Sequence, residues 1–106
     1  MSKERNDKVD EYLNSPLANP VRLTIALYLL PREGACFKTI AEALGLTPGN
    51  LRHHLNVLRK EGMIEEKYIL RGRPRKYIVL TRKGACELEK VMNILKNMFE
   101  NRRNTR

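Results

Sequence analysis

Two short apolar patterns joined across a single glycine constrain this chain more than any other feature. In FKTIAEALGLTPGNLRHHLNVL, Phe37, Ile40, Ala41 and Leu44 recur at the i, i+3, i+4, i+7 spacing of one helical face, and Leu51, Leu55 and Leu58 form a second stripe directly after them. Gly45 stands where the first helix must end in a left-handed residue, which glycine adopts without steric cost. Thr47 can cap the orphan N–H groups of the second helix, and Pro48 suits its first position, where a missing N–H costs nothing. The spacing predicts a helix over 37–44 and another over Pro48–Lys60, stopped near Gly62. Ala41 is small enough to let the two approach, while Leu51 and Leu55 anchor the second on the first.

Before this pair, Val9, Tyr12 and Leu13 form a stripe on a helix expected over 3–14, which Ser15-Pro16 breaks because proline disfavours helical geometry in the residue before it. Asn19 and Pro20 repeat the cap-and-proline start. VRLTIALYLL is apolar on nearly every face, so a central helix packed on several sides is expected up to about Leu30, with Pro31 and Gly34 ending it. After Gly62 the period becomes two. Ile64, Tyr68 and Leu70 alternate against Glu65 and Lys67, KYIVLT follows at 76–81, and Gly72-Arg73-Pro74-Arg75 between them predicts a β-hairpin. From Arg82 to about Asn101 helical spacing returns, with Leu88, Val91, Met92, Leu95, Met98 and Phe99 on one stripe. The expected class is mainly α with a small β-hairpin (α+β). A chain of 106 residues buries one core but not two, so a single domain is expected: an N-terminal helix within 1–15, a core over 20–83, a C-terminal helix over 84–101 and a basic tail at 102–106.

The chain has 21 Lys and Arg against 12 Asp and Glu, a formal charge of +9, and residues 47–83 alone hold ten cations and three carboxylates. That concentration marks a face for a polyanion, a merely solvated face being the alternative. No apolar run approaches the ~20 residues of a membrane span and the start is charged, so neither a span nor a secretory signal is expected, and a cytoplasmic location is. Cys36 and Cys86 lack ligand-like spacing and read as buried, apolar-like thiols, with a disulfide as the alternative. His53 and His54 point about 100° apart on a helix, so no metal ion is expected between them. With no Ser-His-Asp set, no carboxylate pair with its own pocket and no phosphate-cradling glycine loop, neither enzymatic activity nor a cofactor is expected.

The 37–58 stretch resembles the helix-turn-helix signature through Ala41, Gly45 four residues later and Leu51. It departs at His54, where the pattern carries an apolar residue. Lying about 60° from the centre of the leucine stripe, His54 is expected to be half buried and hydrogen-bonded rather than presented outward. With residues 20–83 read as helix, helix, helix, strand, turn, strand, the chain is similar to winged-helix regulators of the ArsR and MarR type, the segments LGLTPGNLRHHLNVLRKEGMIE and YIVLTRKG carrying the likeness. The resemblance implies a winged helix-turn-helix fold with additional N- and C-terminal helices and a dimeric transcriptional regulator, with repression as the expected outcome. Metal sensing is not implied, because the paired thiolates or His and carboxylate clusters of metal-sensing members are missing.

In that motif the N-terminal part of the second helix enters the major groove of double-stranded DNA. The helical wheel puts Gly49, His53, Asn56 and Lys60 outward and Asn50, Arg52 and Arg59 on the flanks. Asn50, Arg52, His53 and Asn56 are the base-reading candidates, Thr47 and Gly49 join the contacting set at the helix start, and Arg59 and Lys60 are expected on phosphates. The tip cations Arg71, Arg73, Arg75 and Lys76 are expected along phosphates or in the minor groove. The stripe Leu88, Val91, Met92, Leu95, Met98 and Phe99 is longer than a small core can cover. With Val9, Tyr12 and Leu13 it is expected at a homodimer interface, packing onto its own subunit being the alternative. No small-molecule effector and no membrane partner is evident. Two other functions fit the same pattern, a non-specific architectural nucleic-acid binder and a protein-interaction module. Competition by unrelated DNA at fixed salt separates the first from sequence-specific binding, and loss of all DNA binding at low salt would favour the second.

Overall fold

A computed structural model describes residues 7–104, with Arg71 and residues 102–104 described by backbone alone. Its elements run α1 (Asp7–Leu13), α2 (Pro20–Leu29), α3 (Phe37–Leu44), α4 (Pro48–Lys60), β1 (Ile64–Arg71), β2 (Arg73–Leu80) and α5 (Arg82–Asn104). This is the expected class: five helices and a two-stranded antiparallel hairpin. The expected helical residues 3–6, the Arg71 side chain and the side chains of the basic tail at 102–106 lie outside the described residues.

Local chemistry sets the helix ends. Asn19 Oδ1 accepts from the N–H groups of Val21 and Arg22, each at 3.0 Å, which starts α2 at Pro20. Gly45 takes φ +66°, and the Leu46 N–H reaches back to the Ala41 carbonyl at 2.9 Å. This closes α3 and turns the chain straight into α4. There Thr47 Oγ1 accepts from the Asn50 N–H at 3.2 Å, and Leu51, His54, Leu55 and Leu58 go inside.

Leu51, Leu55 and Leu58 share a cluster with Ile25, Ala26 and Leu29 of α2, Ile40 of α3, and Ile64 and Ile78 at the base of the hairpin. Fully burying a side chain of this size is worth about 1.5–3 kcal/mol, which makes this shared cluster the main fixture of α4. The hairpin base is also tied to the segment before α3: Ala35 and Ile78 exchange both backbone hydrogen bonds, at 3.1 and 2.9 Å.

The structure corrects several expectations. The strands pair from Ile64↔Leu80 out to Arg71↔Arg73, leaving Gly72 alone between them instead of the four residues 72–75. Pro74 is accommodated because the outer part of β2 has no further strand that needs its N–H. Tyr68 and Leu70 share the face of buried Ile64 but are 69% and 76% exposed, since the hairpin outruns the helices that cover its base. Leu88 and Val91 lie in the subunit's own core, because α5 packs back on α1 and α2, and Ile94 continues that buried row. Leu27 on α2 and Leu30 just after its end are exposed, so that helix is packed on fewer sides than its composition suggests. Both thiols are free. Cys36 is half-buried and Cys86 exposed, the latter turned away from the Gly84, Leu88, Val91 and Ile94 face that α5 buries. Among the described residues no helix is long and apolar enough to cross a membrane.

Candidate nucleic-acid interface

The seated face of α4 fixes what its other face presents. Thr47, Gly49, Asn50, Arg52, His53, Arg59 and Lys60 are exposed, and Asn56 is half-buried. Gly49 is not required by its surroundings, since a Cβ there would meet nothing within 4 Å. It leaves the backbone at the helix start bare. The Arg52 guanidinium lies 5.1 Å from the centroid of the Phe37 ring, a cation–π distance that aims it from the flank of α4 along the start of α3.

His54 is buried, and its Nδ1 lies 3.0 Å from Arg22 Nη1. Arginine can only donate, so Nδ1 is the acceptor and the proton of the neutral ring sits on Nε2. Arg22 Nε also donates to the Pro16 carbonyl at 2.7 Å. The loop before α2, α2 itself and α4 are thereby linked through one guanidinium. Burial, then the Arg22 charge, then His53 hold the His54 pKa below the ordinary histidine value. Arg22 carries no sequence signal for this role, because its partner lies 32 positions away.

Further along α4, Arg59 Nη2 donates to Asn56 Oδ1 at 2.6 Å. Arg59 Nη1 also lies 3.7 Å from Glu66 Oε2 on β1, and Lys76 Nζ of β2 lies 3.6 Å from Glu66 Oε1. Two expected phosphate-contacting cations therefore converge on one carboxylate, a partner not foreseen in the sequence. An open groove of about 550 Å³ runs between α4 and the hairpin, with Arg52, Asn56, Arg59, Glu66 and Lys76 on its walls and Phe37, Leu55 and Ile78 beneath.

The hairpin cations do not form one cluster. Lys76 pairs in register with Tyr68 and shares the face of Glu66, toward α4. Arg75 pairs with Ile69 and Arg73 with Arg71, so by the two-residue alternation of a strand they stand on the opposite face. There Arg73 and Arg75 line a second open depression with Glu33, Gly34 and Tyr77. Among the described residues no three His, Cys, Asp or Glu side chains gather as a metal site.

Three helices, α2 to α4, the last facing outward beside the hairpin, define a winged-helix domain, and the chain belongs to the winged helix DNA-binding domain family, whose pattern matches residues 21–99. Among solved structures, the transcriptional regulator homologue of Pyrococcus horikoshii OT3 is 36% identical, with a TM-score of 0.82 over 91% of this chain and 97% of that one. An uncharacterised protein of Methanocaldococcus jannaschii is 40% identical over 65 residues, 60% of this chain and 71% of its own. MepR of Staphylococcus aureus, solved in complex with DNA, shares the fold at a TM-score of 0.74 and 24% identity, over 96% of this chain and 84% of its own. The family match and the archaeal regulator support a DNA-binding transcriptional regulator.

Proposed function

We propose that this protein is a sequence-specific regulator of transcription that binds double-stranded DNA as a homodimer and represses by occupying promoter DNA. The observation that carries the reading is α4: its apolar face is locked into the core while Asn50, Arg52 and His53 stand exposed on its N-terminal half, beside a cationic hairpin. Arginine and asparagine can each form two hydrogen bonds with a purine edge in the major groove, which gives this face the means to read bases. Lys60, Arg73, Arg75 and Lys76 supply sequence-independent contacts to phosphates or the minor groove. A two-fold dimer would present two such helices to successive major grooves, about one helical turn apart, and read a pseudo-palindrome. The reading is of a cytoplasmic binding protein rather than an enzyme.

The test is selection of bound sequences from a random duplex pool, followed by competition with unrelated DNA at fixed salt. Enrichment of a two-fold symmetric site, bound at least ~10³-fold more tightly than unrelated DNA, is expected. A protein that binds all duplexes alike is an architectural binder, and one that binds none even at low salt is not a DNA-binding regulator.

A further inference from the structure

Residues 67–76 contain five cations and no carboxylate, whereas Glu65 and Glu66 stand immediately before them. Strand alternation sends these two acids to opposite faces of the hairpin. Glu65 pairs with Lys67 at 3.9 Å on its own strand. Glu66 faces α4 and divides its two oxygens between cations from different elements, Oε2 toward Arg59 and Oε1 toward Lys76. A negative group held between a helix cation and a wing cation, on the wall of an open groove, competes for the same two cations with any phosphate that enters the groove. Both contacts, at 3.7 and 3.6 Å, are longer than a charge-assisted hydrogen bond, and the three side chains remain 34–47% exposed. Such pairs exchange readily for another anion.

We propose that Glu66 is an internal phosphate mimic that occupies Arg59 and Lys76 and so weakens the sequence-independent part of duplex DNA binding. The inference rests on the DNA-binding reading above. Its physical basis is that a carboxylate in the path of the phosphates competes with them for two of the cations that make sequence-independent contacts. The base contacts of Asn50, Arg52 and His53 add to this charge term separately, so the effect of Glu66 is expected on arbitrary and preferred duplexes alike.

The experiment measures binding of a non-specific duplex and of a selected site by wild type, Glu66→Gln and Glu65→Gln across a salt series. Glu66→Gln keeps the shape and removes the charge, and Glu65→Gln removes the same charge from the other face. Glu66→Gln is expected to bind both duplexes about three- to tenfold more tightly, with a log–log salt slope steeper by ~0.9. Glu65→Gln should show much less of each effect. Equal effects in the two variants would reduce the result to net charge and overturn the proposal. Weaker binding by Glu66→Gln would also overturn it, showing that the carboxylate serves to hold the wing in place for DNA. A wild type that binds no duplex fails the earlier reading instead, and the inference with it.

Discussion

At the scale of single residues, the fold places two demands that differ in kind. His54 is a demand of charge: its Nδ1 faces the Arg22 guanidinium, and burial, Arg22 and His53 all act against protonation. Because its folded pKa lies below the unfolded value of about 6.5, the unfolded chain binds more protons as the solution becomes acid. The stability that His54 contributes is therefore complete above that value and is lost as pH falls from it through the lowered folded pKa. Urea midpoints at pH 7.5 and pH 5.5 should fall further on acidification for wild type than for His54→Gln, whose amide oxygen can still accept from Arg22. Equal falls would show that His54 is not the group responsible. Gly84 is a demand of space. A Cβ there would overlap the Met63 carbonyl oxygen and come within 2.8 Å of Leu80 Cδ1. The first of these is backbone, which cannot move aside as a side chain can. Gly84→Ala should cost at least ~2 kcal/mol, read as a lower urea midpoint at an unchanged denaturant slope.

At the scale of elements, the two halves of the interface should fail differently. Arg52 must leave the Phe37 ring to read a base, and an exposed cation–π contact is worth only about 0.5–1 kcal/mol, so the contact presents the side chain without trapping it. Arg52→Ala should cost about 1–3 kcal/mol at the preferred site and relax the base preference at one position. Arg73→Ala, on the hairpin, should weaken all sequences alike and make the salt slope shallower by ~0.9. Which elements exist was legible because the signals are local. Apolar spacing with Asn19-Pro20, Gly45 and Thr47-Pro48 placed α2, α3 and α4, the last with its observed ends. What lies against each element was not legible. Tyr68 and Leu70 alternate as Ile64 does, and only the reach of the helices beneath decides that Ile64 is buried and they are not. Leu88 and Val91 read as an uncovered stripe until α5 is seen to fold back on α2. Likewise the Arg22–His54 contact and the Glu66 bridge join parts of the chain whose distance in sequence hides the pairing.

At the scale of the whole molecule, the outstanding feature is how far α5 extends beyond the core. It has 23 residues, which at about 1.5 Å each span roughly 35 Å, in a molecule measuring 61 × 25 × 24 Å. Its buried row ends at Ile94, and from Lys96 to Asn101 every side chain is exposed, Met98 and Phe99 among them. Met92 on α5, Leu13 at the end of α1, Leu27 on α2 and Leu30 at its C-cap add further exposed apolar area. Of the residues expected at a dimer interface, Leu88 and Val91 are therefore committed to the subunit itself, and Leu95 and Tyr12 pack partly against its core. Met92, Met98, Phe99 and Leu13 are the ones left facing outward. This changes where the dimer should be tested, because a charge at Leu95 would damage the monomer as well as any interface. Met98→Glu places the charge on an exposed position past the end of the buried row. It should leave the urea midpoint of the subunit nearly unchanged while shifting the solution mass at micromolar concentration from two chains to one. The same variant should lose on the order of 10²-fold in affinity for a two-half-site duplex and little for a single half-site, because linking two binding events raises avidity by about 10²–10⁴ without any new contact. A wild type already monomeric at that concentration would refute the dimer. A Met98→Glu protein that stays dimeric would take Met98 out of the interface and leave the other exposed apolar residues, Leu13, Leu27 and Leu30 among them, to carry it.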